Sequence, residues 1–318
     1  MLGALGVHTW RFLRRRMTTQ HVQPISRVGI VAKWHLREAA PHLVEISEWL
    51  ESRGVDAVFE TSTAALMPPS AARRVADKQA LVAQVGMVLV LGGDGTLLGM
   101  ADCIGESELD IPILGVNFGS LGFLTEVTLP ELYPSLEAAL TGGAPVEARL
   151  MLRSTAIREG SPFRSHIALN DVVITKAAFS RIIELDVAVD GAFVSSFRAD
   201  GLLVSSPTGS TAYNLAAGGP ILHPTLAAVV LTPICPHMLS HRPLVVSDGV
   251  TIEVSLRDAR DGDVQIMLDG QQGFPLAPKD TVTVTRSAHA IRLVKAPERD
   301  YFEVLRTKLK WGEPTARR

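Results

Sequence analysis

Cysteine, net charge and long apolar runs are all scarce in this sequence, and each shortage closes off a class of protein. Two cysteines in 318 residues, Cys103 and Cys235, stand far apart and suggest no disulfide scaffold. A reducing compartment, the cytoplasm, is therefore expected. The formal net charge of -2 supplies no general attraction to nucleic acid or acidic lipid. No apolar stretch approaches the roughly 20 residues of a membrane-spanning helix. Neither a nucleic acid nor a membrane is expected as a partner. Internal repeats and low-complexity tracts are missing as well.

What is present is globular. An apolar share of 47% with 20% charged residues describes a folded chain. Its length leaves room for two domains of roughly 150 residues each. The first 22 residues stand apart: they carry Arg11, Arg14, Arg15 and Arg16, and no acid precedes Glu38. Their positive charge follows the apolar segment, the reverse of a secretory signal. An organelle transit peptide is one reading. The one preferred is a disordered extension over 1–24, with Met17 as the true start.

The most informative stretch is Val88-Leu89-Val90-Leu91-Gly92-Gly93-Asp94-Gly95-Thr96. Apolar residues running straight into glycines read as a buried parallel strand that ends at a working edge. Glycines at 92, 93 and 95 let a ligand reach the backbone. Asp94 stands among them as the one carboxylate. No Lys-Ser/Thr pair follows, so this is no Walker-type loop, and Leu98 replaces the third glycine of the dinucleotide fingerprint. Phosphate binding with a proton acceptor is one reading, and a tight strand-to-helix turn capped by Asp is the other.

Strands are expected at Val28–Val31, Val55–Phe59, Val85–Leu91 and Ile111–Val116. Helices are expected at Pro41–Arg53, Ala76–Gln84, Thr96–Cys103 and Pro130–Leu140. This alternation predicts a doubly wound α/β domain over 25–142. The Thr141–Pro145 stretch reads as a boundary. Beyond it Ile183, Leu185, Val187 and Val189 alternate with Glu184, Asp186 and Ala188, and Asp190-Gly191 reads as a hairpin turn before Ala192–Phe197. Further strand candidates are Ile167–Thr175, Leu202–Ser205, Val250–Leu256, Val264–Leu268, Val282–Thr285 and Ile291–Val294. A β-rich, sandwich-like domain is expected over 143–295. A closing helix within 296–318, with Phe302, Leu305 and Leu309 as its apolar face, should return to the first domain.

A second stretch runs Arg198-Ala199-Asp200-Gly201-Leu202-Leu203-Val204-Ser205-Ser206-Pro207-Thr208-Gly209-Ser210-Thr211-Ala212-Tyr213-Asn214, and on through Gly218-Gly219-Pro220. Its hydroxyls far exceed what one helix cap needs, and they suit a planar, hydroxyl-rich ligand such as a nucleoside. Here the sequence resembles the NAD kinases. Four segments carry the resemblance: Gly92-Gly93-Asp94-Gly95-Thr96, Leu169-Asn170-Asp171-Val172, Asp200–Asn214 with Gly218-Gly219-Pro220, and Leu268-Asp269-Gly270-Gln271. Thr232–His237 is similar too. The glycine turn is shared with lipid kinases and phosphofructokinases, whereas the long hydroxyl segment is far more specific.

The resemblance implies transfer of the γ-phosphate of ATP to the 2′-hydroxyl of the adenosine ribose of NAD, giving NADP. It implies Asp94 as general base, with Gly92, Gly93, Gly95 and Thr96 near the phosphates and with Mg²⁺ (or another divalent cation) arriving on the nucleotide. Asn170 and Asp171 match the family's Asn-acid pair that holds NAD, with Asp where many members have Glu. Arg181, Arg198 and Asp200 match other NAD-site positions, and a basic residue at 198 goes with ATP as donor. Thr208, Thr211, Ala212, Tyr213, Asn214, Leu215 and Ala216 would wrap the dinucleotide, and Gln271 would add one hydrogen bond. A homodimer or homotetramer is implied. Rival readings are a lipid kinase and a non-catalytic NAD sensor. No carboxylate cluster reads as a metal cage. Cys235, His237 and His241, though spaced like ligands, are read as packing groups, and the tryptophans as core or surface anchors.

Overall fold

The computed structural model describes residues 25–177, 181–238, 240–258, 262–296 and 299–311. The expected extension over 1–24 lies outside the described residues. One sheet holds eight strands. Seven run in the order Arg74–Ala76, Asp56–Glu60, Arg27–Ala32, Met87–Gly92, Pro112–Asn117, Ile291–Val294 and Val146–Arg149, and Val127–Thr128 pairs with Pro112–Asn117. Every pairing is parallel except that of Val146–Arg149 with Ile291–Val294.

The central strand, Met87–Gly92, is buried throughout. Successive side chains on a strand point to opposite faces, and the burial follows. Leu89 and Leu91 pack with Leu43, Ile46 and Leu50 of the Ala39–Glu51 helix. Val88 and Val90 pack with Leu97, Met100 and Ile104 of the Asp94–Glu106 helix. A strand apolar at every position is thus used twice, which is why the domain is doubly wound. Each such side chain contributes about 1.5–3 kcal/mol by leaving water.

The remaining strands form two six-stranded antiparallel sheets. One runs Leu244–Ser247, Ala228–Ile234, Gly201–Ser205, Asp171–Lys176, Val264–Leu268 and Gln272–Leu276. The other runs Ala192–Ala199, Ile183–Val189, Ile252–Asp258, Thr281–Arg286, Leu152–Arg158 and Ser161–Ala168. Val172, Ile174, Leu202 and Val204 of the first face Leu185, Val187, Val254 and Val282 of the second across one core. That is a β-sandwich.

Several strands, among them Arg74–Ala76, Val146–Arg149, Leu152–Arg158 and Ala228–Ile234, were not expected from the sequence, and three of the expected elements depart from their reading. Ile167–Thr175 is two strands in different sheets, because the Asp269 carboxylate takes the amides of Leu169, Asn170 and Asp171 out of any ladder. Ile291–Val294 joins the parallel sheet, beside Pro112–Asn117. In the closing helix, Tyr301–Leu309, the buried residues are Val304 and Leu305, while Phe302 is 57% exposed. The helix does return to the first domain. Arg299, just before it, pairs with Glu131 at 3.1 Å and donates to the Glu126 carbonyl, and the buried Lys295–Glu126 ion pair lies alongside. Tyr301 also donates to the Leu222 carbonyl at 3.1 Å, so the helix leans on both domains.

Candidate active site

The Met87–Gly92 strand ends at the carboxyl edge of the parallel sheet, where open α/β sheets place their ligands. A Cβ at Gly92 would stand 2.9 Å from the Thr96 hydroxyl, so packing demands that glycine. Gly93 and Gly95 differ. Apart from the adjoining backbone, nothing among the described residues lies within 4 Å of where their Cβ atoms would be, and neither has a left-handed backbone. The fold itself does not require glycine at either position. Their bare main chain faces open space.

Asp94 opens the Asp94–Glu106 helix, and its carboxylate holds the loop at 122–125. Oδ1 accepts the N–H groups of Leu124 (3.1 Å) and Thr125 (3.0 Å) and the Thr125 hydroxyl (3.0 Å). Among the described residues, Oδ2 accepts only the Phe123 N–H, at 2.9 Å. A carboxylate offers about four lone-pair sites, two on each oxygen. Oδ1 is therefore fully engaged, while Oδ2 keeps one lone pair. Gly122 packs against this group so closely that a Cβ would collide with Oδ1. Asn117 braces the loop's start, donating to the Ser120 carbonyl (2.6 Å) and accepting the Gly119 N–H (2.5 Å). The sequence marked Asp94 but not the ring of donors that fixes it.

The β-sandwich supplies the facing wall. Asp269 and Gly270, at φ 50° and 65°, make the tight turn of a hairpin. The Asp269 carboxylate accepts the N–H groups of Leu169 (2.8 Å), Asn170 (2.8 Å) and Asp171 (3.0 Å). Gln271, in the same turn, donates to the Gly95 carbonyl at 3.0 Å and so clasps the two domains together. Gln271, expected from the sequence to contact a dinucleotide, uses its amide nitrogen on the chain's own glycine turn.

Asn170, Asp171, Ala212, Tyr213, Asp269 and Gly270, with Val173, Thr175 and Met267, line a cleft of about 380 Å³. Apolar walls with a few convergent polar groups suit a planar ring. Burial raises the pKa of both acids. For Asp171 the neighbouring Asp269 charge adds to burial and pushes it up to about 7. For Asp269 three N–H donors oppose the burial. Burial likewise raises Tyr213, with Cys235, Asp171 and Asp200 adding to it.

Most hydroxyls of the second stretch face inward. Ser206 donates to the Leu169 carbonyl (2.5 Å) and accepts the Gly209 N–H (3.1 Å). Ser210 accepts the Leu222 N–H at 2.9 Å. Asn214 is fully buried, donating to the Ser210 (3.1 Å) and Pro220 (3.0 Å) carbonyls and accepting the Thr232 hydroxyl (2.7 Å). Three of the four hydrogen-bonding positions of its side chain are engaged in holding the loop. Thr208 is buried, and its hydroxyl has no partner among the described residues. Thr211 is half-buried, and Leu215 and Ala216 sit on the short Tyr213–Ala216 helix off the cleft wall. Asp200 pairs with Lys176 at 3.0 Å, and its carbonyl accepts the hydroxyl of Thr175 on the cleft wall. Arg181 and Arg198 are exposed and do not line the cleft.

A second cavity, of about 390 Å³, borders the glycine turn itself. Gly93, Gly95 and Thr96 form one side, and Lys33, Trp34, Glu60, Ser62 and Lys78 form much of the rest. The sequence reading missed these residues. They come from separate segments, and only folding puts them on one wall.

A carboxylate fixed beside bare backbone, with one pocket bordering its turn and a second on the facing domain, fits a two-domain phosphotransferase acting on a small molecule. Comparison with known proteins narrows the class. Residues 28–144 match the ATP-NAD kinase N-terminal domain, and residues 169–296 match the ATP-NAD kinase C-terminal domain. The NAD kinase of Citrifermentans bemidjiense is 47% identical over 289 residues, covering 91% of this chain and all of that protein. The NAD kinase of Geobacter sulfurreducens is 47% identical over 294 residues, with the same coverage. Among solved structures, yeast NADH kinase complexed with NADH superposes with a TM-score of 0.82 at 26% identity, covering 92% of this chain and 90% of that one. An NAD kinase from Archaeoglobus fulgidus in complex with ATP gives 0.70 at 25% identity, covering 88% and 99%. The chain belongs to the NAD kinase family.

Proposed function

We propose that this member of the family moves the γ-phosphoryl group of ATP to the 2′-hydroxyl of the adenosine ribose of NAD, with Asp94 Oδ2 as the base. The observation that carries the reading is the single open lone pair on Oδ2, on a carboxylate fixed by four donors beside the uncovered main chain of Gly93 and Gly95. Phosphoryl transfer asks a protein mainly for positioning and charge stabilisation. In the step, the 2′-oxygen bonds to the γ-phosphorus as the bond from that phosphorus to the bridging oxygen breaks. The electron pair leaves with ADP, and the hydroxyl proton passes to Asp94 and on to solvent. The products are NADP and ADP.

Asn170, Asp171 and Tyr213 would hold the dinucleotide in the cleft they line. Asp171, titrating near neutrality, can donate as well as accept. Among the described residues no three His, Cys, Asp or Glu side chains converge. Mg²⁺, supplying charge neutralisation, would be held chiefly by the phosphates, as is usual for this ion, with Glu60 the one carboxylate on the neighbouring wall. We further propose a cytoplasmic homodimer or homotetramer. Phe193 (68% exposed) and Val245 (45% exposed) stand on edge strands of the two sandwich sheets, and such edges invite pairing with a second copy.

The direct test is incubation with NAD, ATP and Mg²⁺, with the product read by an NADP-specific dehydrogenase. NADP should accumulate with ADP in equal amounts. Folded protein that forms neither would defeat the reading.

A further inference from the structure

Resting on the assignment of Asp94 as the base, we propose that Asp102 and Glu106 are positioning residues for the transfer. They tie the helix that begins at Asp94 to the two segments that build the dinucleotide cleft. The first reason is that both acids stand where a helix resists them. Like charges four residues apart repel, and Glu106, the final residue, opposes the helix dipole. The last turn holds no basic residue to offset either cost. Burial first, and the Glu106 charge second, raise the Asp102 carboxyl above its ordinary pKa, while the Gln272 amide pulls it down. A local cost with no local benefit points to a partner elsewhere in the fold.

That partner is the β-sandwich. Positions 95, 99, 102 and 106 share one face of the helix. Gln271 donates to the Gly95 carbonyl at 3.0 Å, and its Oε1 stands 3.4 Å from where a Gly99 Cβ would be. Gln272 donates to Asp102 Oδ2 at 2.7 Å. Glu106 Oε1 accepts the N–H of the buried Ile167 at 2.9 Å. A Cβ at Gly105 would collide with Ile167 Cδ1, so helix and sandwich meet without a gap.

These contacts close a circuit through the acceptor cleft. Gln271 and Gln272 directly follow Asp269 and Gly270, which line it. Asp269 accepts the N–H groups of Leu169, Asn170 and Asp171. The backbone run 167–171 is thus held at one end by the helix, through Glu106, and at the other by the hairpin. The hairpin in turn grips the helix. Asn170 and Asp171 cannot shift against Asp94 without breaking a bond of this circuit. Transfer needs that distance fixed, because an error of about 1 Å costs up to roughly a hundredfold in rate. Gln272 is exposed and does not line the cleft, so its effect on the reaction can arrive only through the circuit.

The test compares Gln272→Ala, Asp102→Ala and Asp102→Asn in the full chain, each checked for folding by its melting temperature. NADP formation from NAD and ATP is one readout, and amide hydrogen exchange with and without NAD is the other. Both alanine variants should lower kcat about tenfold and keep the KM for NAD within about twofold. The double variant should lose no more than either single one, since the two groups act as a pair. Asp102→Asn keeps an acceptor oxygen for Gln272 and should recover most of the turnover, which loss of a charge alone would not allow. Glu106→Ala should act like the other alanine variants, with Glu106→Gln as its rescue. NAD should slow exchange over 94–106 in the parent chain and in Asp102→Asn, and not in the alanine variants. Alanine variants with parental kcat or parental protection would overturn the proposal. So would Asp102→Asn as slow as Asp102→Ala, or a parent helix that NAD does not protect. A parent chain that makes no NADP, yet whose helix gains protection from NAD and loses it with Gln272, would defeat the phosphotransfer reading and leave the tie between helix and cleft standing.

Discussion

The glycine turn at 92–96 and the hydroxyl-rich loop at 205–220 look alike on paper, each a run of glycines and small polar residues. Folded, they are opposites. Beyond the adjoining backbone, no described residue comes within 4 Å of an added Cβ at Gly93 or Gly95, whereas Gly209 lies on the Asn170 backbone and Gly219 on the Asn214 amide, each well inside 3.0 Å of a missing Cβ. The hydroxyls of Ser206 and Ser210 are consumed by main-chain partners. One region is bare toward a ligand. The other is close-packed so that Asn170, Asp171 and Tyr213 keep their places.

That contrast breaks most visibly at Gly209. Gly209→Ala would push a methyl into the Asn170 backbone, which cannot yield as a flexible side chain would. A loss of about 3 kcal/mol or more is expected, read as a lower denaturation midpoint. A midpoint like the parent's would show that the loop is not packed as described. Asp94→Asn comes next. Turnover should fall by about 10² or more. The melting temperature should fall as well, because an amide nitrogen would face N–H donors where the carboxylate accepted four bonds. Near-parental turnover in that variant would remove Asp94 as the base.

Gly95→Ala sharpens the comparison from the other side. It lies in the first turn of a helix with open space around it. Stability should hold or rise by up to about 1 kcal/mol, while turnover falls by tenfold to roughly a hundredfold from a misplaced donor. Loss of stability with intact turnover would reverse the assignment. The smallest effect concerns Asp171. Its folded pKa, about 7, lies above the ordinary value of 3.8. Between those values the native state binds the extra proton, so the group's contribution falls as pH rises and levels off above about 7. Relative to the parent, Asp171→Asn should therefore gain stability from pH 5 to 7, on the order of 1 kcal/mol per pH unit. Parallel melting curves across that range would show that Asp171 is not shifted.

The strand-and-helix alternation of the first domain was legible because each element has its own period. Leu43, Ile46 and Leu50 fall on one helical face, and Ile183, Leu185 and Val187 on one face of a strand. Ile167–Thr175 was misread because its apolar content is continuous while its backbone is not. The break is made by Asp269, about a hundred residues away in sequence. Phe302 was placed in the buried face of the last helix by spacing alone, whereas the folded helix buries Val304 and Leu305 and leaves Phe302 57% exposed.

Composition and local pattern determined the α/β-then-β order, the Asp190-Gly191 hairpin and the position of Asp94 at a strand's end, because these depend on neighbours within a few residues. Tertiary structure alone decided which oxygen of Asp94 stays open and that Asn214 faces inward. It also set Gln271 as a clasp and brought Lys33, Trp34 and Lys78 to one wall. Such facts turn on hydrogen bonds and contacts between distant segments, and a linear pattern carries no record of which donor reaches which acceptor.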